Sequence, residues 1–301
     1  MKKLSLLLAV LVTCGLVTLA NASSRIERNL KLEPNGRFVL QSDGGSVTLT
    51  GVASAGAKIV ITSDHSDLES LYNISFQEKP GMAGVTVRRK DHSVFSLFNW
   101  GHSNSVHFDV EVPTQTQTEI YTGGGALQVS KLRGDSRLRT SGGGIEVSAL
   151  TGKLDAETSG GPIRLREIIG DTHIDTSGGP IEVASLEGSL DAHTSGGPIR
   201  IDRVTGRVEA RTSGGPISVN FDRGNARGGL LETSGGPINA AVDRSANLEI
   251  DASTSGGSVV TDLPIRVQGK IANSSLQGTL GSGGETLRLR TSGGSIHIGA
   301  L

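Results

Sequence analysis

Residues 176–199 read TSGGPIEVASLEGSLDAHTSGGPI, and this stretch begins and ends with the same six residues. The hexapeptide TSGGPI starts at Thr158, Thr176, Thr194, Thr212 and Thr233, and near-copies start at Thr140, Thr254 and Thr291. The spacing between these threonines is 18 residues up to Thr212 and 21 residues for the next two steps. Repeats at a fixed short period predict a solenoid in which each repeat forms one turn.

The residues between two hexapeptides alternate in polarity. Ile181, Val183 and Leu186 are separated by polar or small residues, and Leu190 and Ala192 alternate with charged residues after a glycine. A period of two indicates short strands with one buried face. The sequence therefore predicts an all-β fold, a β-solenoid resembling a parallel β-helix, with two strands in each turn of about 18 residues and a non-repetitive β region before it.

The hexapeptide is interpreted as a structural corner and not as an active site. We expect its glycines to adopt positive φ and its proline to occupy the first strand position, where a missing N–H does least harm. The threonine is predicted to point inward and to hydrogen-bond the backbone of the corner. The predicted corner residues are Gly160, Gly161, Pro162, Gly178, Gly179, Pro180, Gly196, Gly197 and Pro198.

The chain divides into three segments. Residues 1–22 have a basic start, an apolar run and a final Ala-Asn-Ala, which predicts a secretory signal peptide cleaved after Ala22. Residues 23–121 are predicted to form the non-repetitive β region, with entry strands or a cap, and residues 122–301 the solenoid. The signal peptide predicts an exported protein, in the periplasm or at the cell surface of a bacterium, with no transmembrane segment after cleavage. The single cysteine, Cys14, lies in the signal peptide, so we expect no disulfides in the mature protein.

Composition and motifs exclude several functions. The formal net charge is −1, which argues against a nucleic-acid partner. The sequence contains no phosphate-binding loop, zinc-type spacing, Rossmann glycine pattern or GxSxG elbow. No cofactor and no catalytic residue is therefore predicted.

Aromatic residues concentrate in residues 91–108. Phe95, Phe98, Trp100 and His102 form a candidate binding loop, because exposed aromatic faces recognise glycan, lipid or protein. The alternative is that these rings cap the open end of the solenoid.

Four charged residues of neighbouring turns are predicted to form a checkerboard. If successive turns stack, His173 lies over Asp191, and Asp175 lies over His193. Two histidines and two carboxylates are able to hold a divalent metal or to supply acid and base to a sugar bond. We favour a ladder of complementary surface charges, with the metal site as the alternative.

Residues 107–147 read HFDVEVPTQTQTEIYTGGGALQVSKLRGDSRLRTSGGGIEV, in which a strand ending in Val-Pro enters a region of repeated SGG corners. This layout, over about residues 30–301, resembles the bacterial putative-adhesin family. The resemblance implies a β-solenoid at the cell envelope, and the family offers no catalytic residues to transfer.

These observations favour an exported, non-catalytic binding or scaffold module that binds an envelope or surface ligand, either protein or glycan. The alternatives are a carbohydrate-acting β-helix enzyme and an envelope-stress or assembly factor with a protein partner.

Overall fold

The structure is a computed structural model, and it describes residues 24–64, 68–90, 106–267 and 272–301. The signal-peptide prediction for residues 1–22 lies outside the described residues. The first part of the chain contains β1 (Ser24–Leu30), β2 (Arg37–Ser42), β3 (Ser46–Val52), β4 (Ala57–Ser63), α1 (Leu68–Leu71), β5 (Tyr72–Lys79), β6 (Met82–Arg89) and β7 (Val106–Pro113). The middle part contains β8 (Gln117–Thr122), β9 (Leu127–Arg133), β10 (Ser136–Thr140), β11 (Ile145–Thr151), β12 (Leu154–Thr158), β13 (Ile163–Ile169), β14 (Thr172–Thr176), β15 (Ile181–Val183), β16 (Leu186–Glu187), β17 (Leu190–Thr194), β18 (Ile199–Val204), β19 (Val208–Thr212) and β20 (Ile217–Phe221). The last part contains β21 (Gly229–Thr233), β22 (Ile238–Val242), β23 (Leu248–Thr254), β24 (Val259–Thr261), β25 (Arg266–Val267), β26 (Ser275–Leu280), β27 (Glu285–Thr291) and β28 (Ile296–Ala300).

The strands form two sheets of 14 strands each, which are mostly parallel, and the predicted all-β solenoid is confirmed. Sheet A runs in the order β1-β4-β7-β3-β9-β11-β13-β15-β18-β20-β22-β28-β24, with β16 beside β13 and β18. Sheet B runs in the order β25-β26-β23-β27-β21-β19-β17-β14-β12-β10-β8-β2-β6-β5. Each regular turn gives one strand to sheet B and the next to sheet A, so neighbouring turns pair in register along both sheets.

The core lies between the two sheets and is built from columns of equivalent residues. Ile163, Ile181, Ile199 and Ile217 pair with one another in successive strands of sheet A, and each is at most 1% exposed. Burying one β-branched side chain per turn at the same position keeps the local volume constant, which close packing requires. This column has the register that one turn for every 18 residues requires.

The threonine of each hexapeptide is buried and ties two turns together. Thr194 Oγ1 donates a hydrogen bond of 3.0 Å to the carbonyl of Gly179 in the preceding turn, and Gly197 N–H donates to Thr194 Oγ1 at 3.3 Å. The same pair of bonds recurs at Thr176 and Thr212. This column satisfies corner backbone groups that would otherwise be buried without partners.

The expectation that the hexapeptide glycines adopt positive φ is wrong. Gly178 and Gly179 do not have positive φ, whereas Gly170 and Gly188, at the opposite corner, have φ of 139° and 143°. The second glycine is required for a different reason, because a Cβ on Gly179 would lie 2.0 Å from the carbonyl oxygen of Gly161 in the turn below. The hexapeptide corner therefore depends on close backbone approach.

The ladder extends into the segment before Thr122. In sheet B, β2 pairs in register with β8, and in sheet A, β3 pairs in register with β9, so these two early strands form a turn of the solenoid. The strands β6 and β7 form a further turn outside them, parallel to β2 and β3. The antiparallel strands β1, β4 and β5 complete this end.

The C-terminal end does not follow chain order. The last turn, β27 and β28, lies between the turn of β21 and β22 and the turn of β23 and β24. Ser275–Leu280 pairs antiparallel with β23, so the sequence NSSLQG that begins at Asn273 is not a further repeat. Across the described residues, no helix has the length and apolar character needed to cross a bilayer.

Candidate ligand-binding groove

A groove of about 760 Å³ runs along the solenoid on the outer surface of sheet B. It crosses the strands β2, β8, β10, β12, β14, β17 and β19, and neighbouring strands are about 4.8 Å apart, so the groove is roughly 29 Å long. Its lining consists of Arg37, Gln117, Thr118, Glu119, Asp135, Ser136, Arg137, Lys153, Leu154, Asp155, Asp171, Thr172, His173, Ser189, Leu190, Asp191, Arg207 and Glu209. We call it the sheet-B groove.

The two walls of the groove arise from the alternation of each strand. One wall contains the residue that follows the mid-turn glycine of each turn, and the other contains the residue two positions later, because residues i and i+2 of a strand face the same side. The buried residue between them forms the floor. The wall pairs are Asp135 and Arg137, Lys153 and Asp155, Asp171 and His173, Ser189 and Asp191, and Arg207 and Glu209.

In the wall formed by the residues that follow the mid-turn glycines, two aspartates also fix the register of the turns. Asp135 Oδ1 accepts a hydrogen bond of 2.9 Å from Lys153 N–H, one turn away, and Asp171 Oδ1 accepts one of 3.2 Å from Ser189 N–H. This wall is therefore polar, and two of its carboxylates are held by backbone hydrogen bonds between turns.

Ion pairs connect the side chains over the first half of the groove. Arg37 pairs with Glu119, Arg137 Nε lies 3.0 Å from Asp155 Oδ2, and Arg139 Nη2 lies 2.7 Å from Glu157 Oε1. Arg139 also lies 3.7 Å from Asp155, and Arg137 lies 3.9 Å from Glu119, so these pairs form one network. The network spans four neighbouring strands of sheet B.

A second network covers the other half of the groove. His173 Nδ1 lies 3.2 Å from Asp191 Oδ2, and Arg211 lies 3.7 Å from Asp191 and 2.8 Å from Glu209. The hydrogen bond from Arg211 lowers the pKa of the Glu209 carboxyl below its ordinary value; partial burial opposes this, and Arg207 adds to the lowering. Glu209 therefore stays ionised at neutral pH.

The four residues of the predicted checkerboard occupy the expected positions. His173 is paired with Asp191 and Asp175 with His193 in the β14–β17 ladder. Among the described residues, the group whose ligand atoms come within 4.8 Å of one another is a different one, formed by Asp155, Glu157 and His173. Both carboxylates of this group bind arginines. For the checkerboard, the charge ladder stays the favoured interpretation and the metal site its alternative.

The candidate binding loop of Phe95, Phe98, Trp100 and His102 lies outside the described residues, and its role stays a prediction. The sequence interpretation also missed the corner wall of the groove. Asp135, Lys153, Asp171, Ser189 and Arg207 share one signal, because each directly follows the mid-turn glycine at the 18-residue period. That column could have been found by aligning the turns on this glycine.

This chain is similar to a known protein family and to several solved structures. The Toastrack DUF4097 family model matches residues 83–299. A solved structure of a putative lipid binding protein from Parabacteroides distasonis is 13% identical, with 92% of this chain and 96% of that chain covered and a TM-score of 0.47. A putative adhesin from Bacteroides fragilis is 14% identical, with 91% and 97% covered and a TM-score of 0.44. No curated protein matches the chain.

Proposed function

Since this chain belongs to the Toastrack DUF4097 family, we propose that it is an exported, non-catalytic binding module of the bacterial envelope. Its ligand is an extended polymer, a glycan or a protein segment, that lies along the sheet-B groove. The observation that carries this proposal is the continuity of the groove across seven hydrogen-bonded strands of sheet B.

The dimensions and chemistry of the groove support a linear ligand. Its volume of about 760 Å³ lies within the range of ligand sites in proteins, and its length exceeds that of a compact small molecule. Acidic and basic side chains follow one another along both walls, so donors and acceptors are offered at every turn. An extended polar polymer contacts several turns at once, so that many weak contacts add up.

The state of the carboxylates supports binding without catalysis. Glycosidases need one carboxyl that carries a proton and a second that is ionised, on either side of the bond that breaks. In the sheet-B groove, the hydrogen bond from Arg211 lowers the pKa of the Glu209 carboxyl, and Asp155 Oδ2 lies 3.0 Å from Arg137 Nε in an ion pair. A carboxyl whose pKa is lowered is a poor general acid.

The proposed location rests on residues 1–22, which have the pattern of a secretory signal peptide. The described fold is compatible with an oxidising compartment, because the chain has no cysteine after Cys14 and its stability does not depend on disulfides.

The test compares two tryptophan variants of the same turn. Ser189→Trp places a bulky ring in the wall of the sheet-B groove, and Ala184→Trp places the same ring on the exposed surface of sheet A. Both variants are screened beside the parent protein against arrays of purified envelope glycans and of extended charged peptides. We expect at least one probe that binds the parent and Ala184→Trp equally and binds Ser189→Trp at least about tenfold more weakly.

Two outcomes would contradict the proposal. If every bound probe binds Ser189→Trp as well as the parent, the ligand site is elsewhere. If mass spectrometry shows that a bound glycan is shortened by the parent protein, the carbohydrate-acting enzyme replaces the binding module. Thermal melts of both variants establish that each is folded.

A further inference from the structure

The last turn of the chain occupies a slot inside the solenoid. In sheet B, β27 lies between β21 and β23, and in sheet A, β28 lies between β22 and β24. The turn formed by β23 and β24 is therefore hydrogen-bonded to the inserted turn, and the inserted turn separates it from the turn of β21 and β22. In the regular part of the solenoid, by contrast, each turn stacks directly on the one before it in the chain.

The contacts that hold the inserted turn are those of an ordinary repeat. Thr291 Oγ1 donates to the carbonyl of Gly236 at 2.8 Å, and Thr254 Oγ1 donates to the carbonyl of Gly294 at 2.6 Å. A Cβ on Gly294 would lie 2.2 Å from the oxygen of Gly236, as at the other second glycines. The slot thus accepts a threonine–glycine corner and shows no contact that requires the turn to come from the same molecule.

Two ion pairs fasten the inserted turn on one side. Asp251, on β23, accepts hydrogen bonds from the guanidinium groups of Arg288 and Arg290, on β27. Both arginines lie on the inserted strand, and Asp251 lies on the wall of the slot. These pairs also form when β27 comes from another molecule, because they join the inserted turn to the slot and not to the connecting loop.

The loop before the inserted turn has the composition of a hinge. Gly281, Ser282, Gly283 and Gly284 connect β26, on one side of β23, to β27, on the other side. The three glycines have φ of 61°, 78° and 157°, conformations that other residues rarely adopt. Ser282 N–H donates to Asn247 Oδ1 at 2.9 Å, which holds the loop across the start of β23. A loop of four residues leaves the chain little freedom to pass from β26 across β23 into the slot of the same molecule. Short hinge loops favour exchange of the following segment between molecules.

We propose that the turn of β27 and β28 exchanges between copies of this chain, so that it fills the slot of a second molecule and produces a strand-exchanged dimer. Exchange replaces each contact of the closed monomer by the same contact between molecules, so the two forms differ mainly in the hinge and in the entropy of association. The partner is a second copy of the chain, and the interaction surface is the pair of slot edges on β21 and β23.

The test uses disulfides that form only across the slot. Leu230, on β21, is paired with Arg288, on β27. In a Cys14→Ser background, the single variants Leu230→Cys and Arg288→Cys are mixed, unfolded in guanidinium, refolded together and oxidised. A disulfide-linked dimer of the two different chains requires that β27 of one molecule lie beside β21 of the other. The tethered turn competes at an effective concentration on the order of millimolar, so about 1 mM chain should give roughly half exchange and about 10 μM roughly one per cent.

The control pair is Glu209→Cys with Leu230→Cys, on the consecutive turns of β19 and β21. This pair has the same ladder geometry but does not cross the slot, so it measures accidental cross-linking. A second slot pair, Glu232→Cys with Arg290→Cys, guards against a folding defect in the first. The proposal is supported if both slot pairs exceed the control about tenfold or more at 1 mM. It is overturned if the slot pairs refold to monomers that melt as the parent does and give no more dimer than the control.

Discussion

At the scale of the residue, one carbonyl oxygen distinguishes the two glycines of each corner. The second glycine lies over the carbonyl of its counterpart in the turn below, whereas the first glycine has room for a methyl group: the nearest atom to a Cβ on Gly178 would be 3.7 Å away, an ordinary contact distance. The two positions look identical in the sequence, and only the stacking of turns separates them. Close backbone approach therefore accounts for the second glycine and not for the first.

Alanine substitution should distinguish the two positions. We expect Gly179→Ala to lower the free energy of unfolding by about 1–3 kcal/mol or more, because the added methyl group forces two turns apart. Gly178→Ala, the matched control, should change it by less than about 0.5 kcal/mol. Urea denaturation of both variants measures the difference. Equal loss in the two variants would show that close approach is not the reason for the glycine.

The histidine at the centre of the sheet-B groove provides a second residue-scale prediction. If His173, Asp175, Asp191 and His193 form only a surface ladder, calorimetric titration with zinc should show no binding tighter than about 10 μM. The neighbouring Asp155 and Glu157 should add nothing, because arginines already bind their carboxylates. Micromolar or tighter binding that His173→Ala removes would instead establish a metal site.

At the scale of the element, the charges of sheet B act between strands. Arg137 binds Asp155 of the next strand, and Asp251 on β23 binds Arg288 and Arg290 on β27. Alternating charge on adjacent strands stabilises one register, since a shift of the ladder would bring like charges together. The bonds to Asp251 are the most protected of these, because its side chain is only 18% exposed.

Asp251 should therefore affect stability in a way that depends on pH. Partial burial raises the pKa of its carboxyl, but Arg290 and Arg288 outweigh this, so the pKa lies below its ordinary value. A carboxyl with a lowered pKa stabilises the fold fully above the unfolded value of about 3.9 and loses this contribution as the pH falls through the folded value. We expect Asp251→Asn to cost on the order of 2 kcal/mol at pH 7 and much less at pH 2 to 3.

Urea denaturation at pH 7, 5 and 3 measures this dependence. The control is Glu33→Gln, an exposed carboxyl near the other end of the molecule, for which we expect little change at any of these pH values. A cost of Asp251→Asn that stays constant from pH 7 to pH 3 would contradict the role given to the ionised carboxylate.

At the scale of the whole molecule, the sequence predicts the repeated turns, but it does not predict where the turns stack out of chain order. The 18-residue period, the isoleucine column and the inward threonines follow from alternation, because each turn solves the same packing problem. The inserted turn has no such signal, since TSGGSI at Thr291 looks like any other repeat and the sequence does not record which turn lies beside it. The early turn of β2 and β3 has a weak sequence signal: residues 42–47 read SDGGSV, which resembles the hexapeptide but begins with serine in place of threonine. The sheet-B groove depends on which outward side chains leave space between them, and a pattern of polarity does not contain that information.

The inserted turn also has a mechanical consequence. A solenoid pulled along its axis separates one turn at a time, and each regular turn releases 18 residues, or about 60 Å of extended chain. Tension applied at Leu301 meets a different resistance, because the last turn is held by ladders on both of its sides and must break both before it leaves. For a chain loaded at Leu301, the force therefore enters at a turn that is paired on both sides and not at an end of the stack.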